Sequence, residues 1–331
     1  MADAAVGLGL LVGASAVNSC FAIPMKHTPR WAWENMWLLW TCFGLVVLPA
    51  AFAFFTVVDL RSVLASDPRA VASVAGLGIL WGSSQIFFGL ALPLAGIAVS
   101  FAVILGLALV VGSVVPLLAS SDLSAFPHLA AMLAGIAIAI AGIAICMVAA
   151  RRRDAARGLP AKVSVLGLLY CIAAGLGSGI MNVGLVAGAP LISAALKRGT
   201  PAAWMQHAVW VPFLLGGAVP NLIFCLWRLR RNRTARLFRA PGTHGYWILA
   251  LLMSLCWFGS AATYGFAATR MGATGPVLAW PVYMCLLVIA GTAVGVVTGE
   301  WKLSQRKPLH TMALGILFLT GAIAVVTTGS W

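Results

Sequence analysis

Apolar residues run through this chain in long blocks, separated by short polar segments rich in Arg, Gly and Pro. Blocks of about 18 residues or more are long enough to cross a bilayer as α-helices. Ten spans are predicted, at 5–25, 35–58, 70–92, 95–118, 126–150, 164–190, 204–228, 245–268, 272–298 and 309–329. A β-barrel would instead need segments of roughly ten residues that alternate apolar and polar. Nothing here alternates, so the expected class is an all-α integral membrane protein. MADAAVG before the first span has no basic residue, so that span reads as a retained helix and not a cleaved signal peptide.

Composition agrees. Of 331 residues, 62% are hydrophobic and 8% charged, with a mean hydropathy of +1.02, outside the range of soluble globular domains. The seven cysteines fall within spans without a CxxC pair, and the five histidines are scattered. Neither pattern fits a disulfide framework, a metal site or a metal-dependent membrane enzyme, and no cofactor is expected.

A formal net charge of +14 raises the question of nucleic acid, and the placement of the cations answers it. When loops are assigned alternately to two sides, 16 of the 21 basic residues fall after spans 1, 3, 5, 7 and 9. The other side holds only Arg61, Arg69, Lys197, Arg198 and Arg270. By the positive-inside rule the basic side is cytoplasmic and both termini lie outside. RRRDAAR and RLRRNRTARLFR are then topology signals and contacts for anionic lipid, with no nucleic acid partner.

The Arg-rich segment 151–163 divides the spans five and five, leaving halves 1–150 and 164–331. Shifting span 3 by 176 residues onto span 8 matches Trp81 with Trp257, Ser84 with Ser260, Gly89 with Gly265, Ala91 with Ala267 and Gly96 with Gly272. An odd number of spans per half makes the second insert upside down, giving two inverted five-helix repeats of the kind used for alternating access.

Trp81, Ser84, Gln85 and Phe88 share one helix face, and the matching stripe is Trp257, Ser260, Ala261 and Tyr264. Flat rings beside a few donors and acceptors suit a sugar, although the same spacing also serves plain helix packing. Asn18, Asn182 and Asn221 lie inside apolar spans, where each needs a partner: a neighbouring helix, water or substrate. Asn182 is favoured for substrate because Gly175, Gly177 and Gly179 before it allow close approach and local unwinding. His207 is placed near the outer end of span 7, where an imidazole titrates near neutral pH. Gly291, Gly295 and Gly299 form a small-residue face for close packing, a homodimer contact included. Pro49, Pro116, Pro212, Pro220 and Pro281 are expected to bend their helices.

WAWENMW, WGSSQIFFGLALPLAG, GGAVPNLIFCLWRL, AWPVYM and GEW, in this order, resemble the L-rhamnose/proton symporter family of the drug/metabolite transporter superfamily. The resemblance covers nearly the whole chain. It implies ten helices in two inverted bundles and proton-driven uptake of L-rhamnose or a related sugar, and it adds Trp280 and Tyr283 to the substrate candidates. Gln85 and Phe88 stand where the family pattern has Asn and Tyr, and Tyr283 where it has His; these departures bear on which sugar fits. Other superfamily members keep both termini in the cytoplasm, against the charge count here.

A symporter needs a group whose proton affinity changes as the cavity switches sides. Five of the seven acids lie in the tail or loops, leaving Glu34 and Glu300. Glu34, flanked by Trp31, Trp33 and Trp37, fits that role by desolvation, and His207 and Glu300 are the further candidates. The plainer reading makes Glu34 a helix-start residue behind a Thr28 cap and Pro29, within an interfacial tryptophan belt, and makes Glu300 an ion pair with Lys302 or a gate. Competing functions are an exporter or facilitator of another polar metabolite, and a membrane sensor without flux.

Overall fold

The computed structural model describes residues 2–119, 129–156, 158, 163–272, 275–299, 301 and 306–328. Among the described residues ten helices are long and apolar enough to cross a membrane: Ala5–Lys26, Trp33–Thr56, Pro68–Ala95, Val99–Ala119, Leu129–Ala156, Val165–Lys197, His207–Asn232, His244–Arg270, Gly275–Val297 and Arg306–Thr327, numbered here as spans 1 to 10. No strand occurs among the described residues. The chain is therefore an all-α, multi-pass membrane protein.

The differences from expectation have local causes. Span 1 is a helix over Ala2–Ser19 followed by a turn and the short helix Ile23–Lys26. Span 5 continues as helix through the arginine block to Ala156, so the expected linker at 151–163 begins as helix. Span 6 breaks at Gly188, because Pro190 starts a new helix and has no N–H with which to continue the old one. The anticipated unwinding at Gly175–Gly179 does not occur; the helix is continuous over Val165–Ala187. Nor does Thr28 cap span 2. Residues 28–31 close a turn, with the Trp31 N–H on the Thr28 carbonyl, so the helix starts at Trp33 and Asn35 Oδ1 accepts from the Ala32 N–H at 3.2 Å. A π-helical stretch, Thr41–Val47, follows within span 2. Pro49 cannot donate to the Leu45 carbonyl and its ring crowds that oxygen, and the wider π turns relieve the conflict.

Span 3 packs along spans 6 and 7, span 4 along span 6, and span 5 along span 10; span 1 packs on spans 8 and 9, and span 2 on spans 7 and 8. Spans 4 and 9 meet, as do spans 4 and 5 and spans 9 and 10. A tight crossing joins spans 3 and 7: a β-carbon on Gly78 would overlap the Phe213 backbone, and one on Gly82 the Gly217 backbone. Small residues let two helices approach in this way without lipid between them. Asn221 secures the crossing, since Nδ2 donates to the Gly82 and Gly217 carbonyls at 2.9 Å and Oδ1 accepts from Trp37 Nε1 at 2.9 Å. An amide read from sequence as either helix glue or a ligand contact thus joins spans 2, 3 and 7.

Candidate functional site

Packing at this crossing sets Trp81 against a chain of rings. Trp33 stacks on Trp37 (4.9 Å between centroids), Trp37 lies 4.6 Å from Trp40, Trp40 meets Trp257 edge-on at 5.3 Å, and Trp257 lies 5.5 Å from Trp81. The last four rings, with Trp280, line a cavity of about 420 Å³, within the range of roughly 300–1,000 Å³ usual for small-molecule sites. Its walls also carry Asn18, Gln85, Phe88, Ser178, Ala261 and Tyr283 from mid-span positions, and reach Lys26, Arg153 and Trp301 at the arginine-rich end. The cavity therefore runs from the middle of the bundle toward the basic end.

Two amides stand among its polar residues. Gln85 Nε2 donates to Ser84 Oγ (3.2 Å) and to Ser178 Oγ (3.3 Å). Asn18 Nδ2 donates to the Tyr283 hydroxyl at 2.7 Å. Ser84 and Ser260 are buried behind this wall, not on it. Ser84 Oγ donates to the Trp81 carbonyl, and Ser260 Oγ donates to the Ala14 carbonyl while lying 2.7 Å from the Tyr283 hydroxyl.

Asn182 and Tyr264, both expected at the substrate, sit elsewhere. The Tyr264 hydroxyl donates to Asn182 Oδ1 at 2.6 Å, and Asn182 Nδ2 donates to the carbonyls of Gly112 (2.7 Å) and Pro276 (2.9 Å). The group joins spans 4, 6, 8 and 9, is buried, and does not line the cavity. It closes the bundle on the side away from the basic end. Gly175 and Gly179 permit this closure: a β-carbon on either would press on Leu107 or Val111 of span 4.

Glu34 is 1% exposed and also off the cavity wall. Its Oε1 accepts from Asn232 Nδ2 and Thr234 Oγ1, each at 2.8 Å, and its Oε2 lies 3.5 Å from Arg228 Nε. Around it the segment after span 7 wraps the segment before span 2: Trp31 Nε1 donates to the Leu237 carbonyl, Asn35 Nδ2 to the Thr234 carbonyl and Arg30 to the Pro241 carbonyl. The carboxylate is the centre of a clasp between spans 2 and 7. Hydropathy marks an acid at a helix start but carries no sign of partners some 200 positions away.

His207 is fully buried at the start of span 7, among the rings of Phe52, Trp204 and Phe258, with neither nitrogen hydrogen-bonded. It is enclosed by protein and does not line the cavity. Glu300 lies outside the described residues. Gly291 and Gly295 line the cavity. Trp37, Trp40 and Ser178, absent from the sequence-based candidates, belong to the wall. The repeated aromatic spacing Trp33, Trp37, Trp40 is the signal that points to the first two.

A family model described as L-rhamnose-proton symport protein matches residues 2–330. The chain is 27% identical over 329 residues to an L-rhamnose-proton symporter of Pectobacterium atrosepticum, covering 96% of this chain and 95% of the relative. It is 26% identical over 330 residues to one of Salmonella dublin, covering 96% of each.

Proposed function

The chain belongs to the L-rhamnose-proton symport protein family, a family of transporters and not of enzymes, and from that premise we propose that it imports a neutral sugar, L-rhamnose or a close relative, together with protons. The observation that carries the sugar reading is the cavity wall: tryptophan faces for C–H surfaces, with Gln85, Asn18 and Ser178 for hydroxyl groups. Trp81, Trp257, Trp280, Phe88 and Tyr283 are the aromatic contacts in this reading, and Gln85, Ser178 and Asn18 the polar ones.

Alternating access by two inverted repeats, 1–150 and 164–331, completes the mechanism. Its support lies in the packing. Adding five to each span number turns the pair 3–6 into 8–1, 3–7 into 8–2, 4–6 into 9–1 and 4–5 into 9–10, and maps 2–7, 4–9 and 5–10 onto themselves. The spacing Trp31, Glu34, Trp37 at the start of span 2 also recurs as Trp204, His207, Trp210 at span 7. With the basic side cytoplasmic and both termini outside a bacterial inner membrane, the cavity of this conformation opens inward and the Asn182–Tyr264 group is the closed outer gate.

Proton coupling is assigned to Glu34, the one buried carboxylate among the described residues. Its donors Asn232 and Thr234 and its ion-pair partner Arg228 all come from the end of span 7 and the segment after it, so rocking of span 7 against span 2 changes what the carboxylate touches. The test is uptake of labelled sugars into proteoliposomes with and without an imposed pH gradient. L-rhamnose or a close relative should accumulate only with the inside alkaline; accumulation of none of the sugars tested would return an exporter or facilitator of another metabolite to first place.

A further inference from the structure

Orientation of the two cavity amides is fixed by where the hydroxyl hydrogens go. A serine hydroxyl has one hydrogen to donate. Ser84 gives its hydrogen to the Trp81 carbonyl at 2.6 Å, so toward Gln85 it offers only lone pairs. The group that meets it at 3.2 Å must therefore be the amide NH₂; reversing the amide would set Oε1 against those lone pairs. Ser178 accepts from the same NH₂ and, as a free hydroxyl, would tolerate either orientation, so Ser84 decides.

On the other wall the same logic runs through one more residue. Ser260 gives its hydrogen to the Ala14 carbonyl at 2.7 Å, so the Tyr283 hydroxyl, also at 2.7 Å, must donate to Ser260. Tyr283 is then left only as an acceptor toward Asn18, which must present Nδ2 at 2.7 Å. Both chains end on a backbone carbonyl that cannot reverse. Neither Gln85 Oε1 nor Asn18 Oδ1 has a hydrogen-bond partner among the described residues, and both residues lie on the cavity wall.

We infer that Ser84 and Ser260 are positioning residues which, without touching the substrate, set both cavity amides to present carbonyl oxygens, so that the sugar is recognised through two hydroxyl hydrogens. This rests on the sugar reading above. It also gives a role to the pair of serines matched between spans 3 and 8: each is the last donor of the chain that orders one amide. A ligand group that accepts but does not donate meets two oxygen lone pairs and is rejected, because it repels them and displaces the water that had paired with them.

The experiment is binding of L-rhamnose and its monodeoxyfluoro analogues to the purified full-length protein, since fluorine replaces a hydroxyl in size but donates no hydrogen. In the wild type, fluorine at two ring positions should weaken binding about tenfold or more, as expected when a buried hydrogen-bond partner is lost. Ser84→Ala should shrink the penalty at one of those positions to about twofold or less by freeing Gln85 to turn, and leave the other position unchanged. Ser260→Ala should do the reverse, and Ser84→Thr and Ser260→Thr, which keep the hydroxyl, should retain both penalties. The wild-type scan needs no variant to fold. Equal binding of L-rhamnose and every analogue, or both penalties intact in the alanine variants, would overturn the inference alone; no sugar bound by the wild type would overturn the sugar reading and the inference with it.

Discussion

Glu34 concentrates the question of coupling in one side chain. Held by Asn232, Thr234 and Arg228, it ties spans 2 and 7 together at the basic end. Glu34→Gln keeps its size and one acceptor but removes the charge that pairs with Arg228. Accumulation against a gradient should be lost while sugar counterflow, which needs no net proton movement, survives. Paired uptake and counterflow assays on one preparation decide this; proton-driven accumulation that persists in Glu34→Gln removes Glu34 from the mechanism. Tyr264 makes the opposite prediction. Its hydroxyl reaches Asn182 and not the cavity, so Tyr264→Phe should lower stability by about 1 kcal/mol, the usual loss for a buried hydrogen bond, with L-rhamnose affinity unchanged. Thermal melting and binding on the same sample check it. In the sequence, Tyr264 belonged to the stripe with Trp257 because helical spacing shows which residues share a face. It does not show how far along that face the cavity extends. Trp257 and Ala261 reach the cavity; Tyr264, one turn further, is buried off its wall.

Among the helices, the glycine positions divide by what faces them. Gly82 meets the Gly217 backbone, whereas nothing lies closer than 4.0 Å to a β-carbon on Gly291. Gly82→Leu should therefore block assembly or destabilise it by about 3 kcal/mol, as overpacking does, while Gly291→Ala folds normally. Yield of monodisperse protein in detergent distinguishes them, and a well-behaved Gly82→Leu would contradict the crossing described. Long apolar runs made all ten spans readable, because the bilayer imposes helix length more strongly than any local signal, though spans 5 and 6 extend to Ala156 and Lys197, beyond their expected ends. Helix-level detail was less readable. A four-residue glycine spacing serves a lipid-facing dimer contact and a cavity wall equally well, so Gly291 and Gly295 carried no sign of their direction. The π stretch at Thr41–Val47 follows from Pro49, but proline in a membrane helix predicts a disturbance and not its form.

For the whole molecule, orientation and coupling remain linked. In the orientation proposed from the asymmetry of 16 against 5 basic residues, the cavity mouth faces the cytoplasm. Single cysteines introduced near residue 2 and after Trp331, in a background without reactive native thiols, should react with an impermeant reagent applied from outside intact cells. A cysteine at Ser178 should react only when the reagent has access to the cytoplasmic face; the reverse pattern would invert the topology. The proposed division into halves rests in the sequence on the arginine block and the Trp81–Trp257 match, while the pairing of spans emerges only from packing, since contacts between distant helices leave no periodicity in the sequence. The central claim is that sugar and proton cross together. Its most direct measurement is proton flux evoked by sugar alone: L-rhamnose added outside proteoliposomes that carry no initial pH gradient, with external pH recorded. Coupled import predicts a transient external alkalinisation that Glu34→Gln abolishes. Entry of labelled L-rhamnose into the same vesicles without any movement of protons would contradict it.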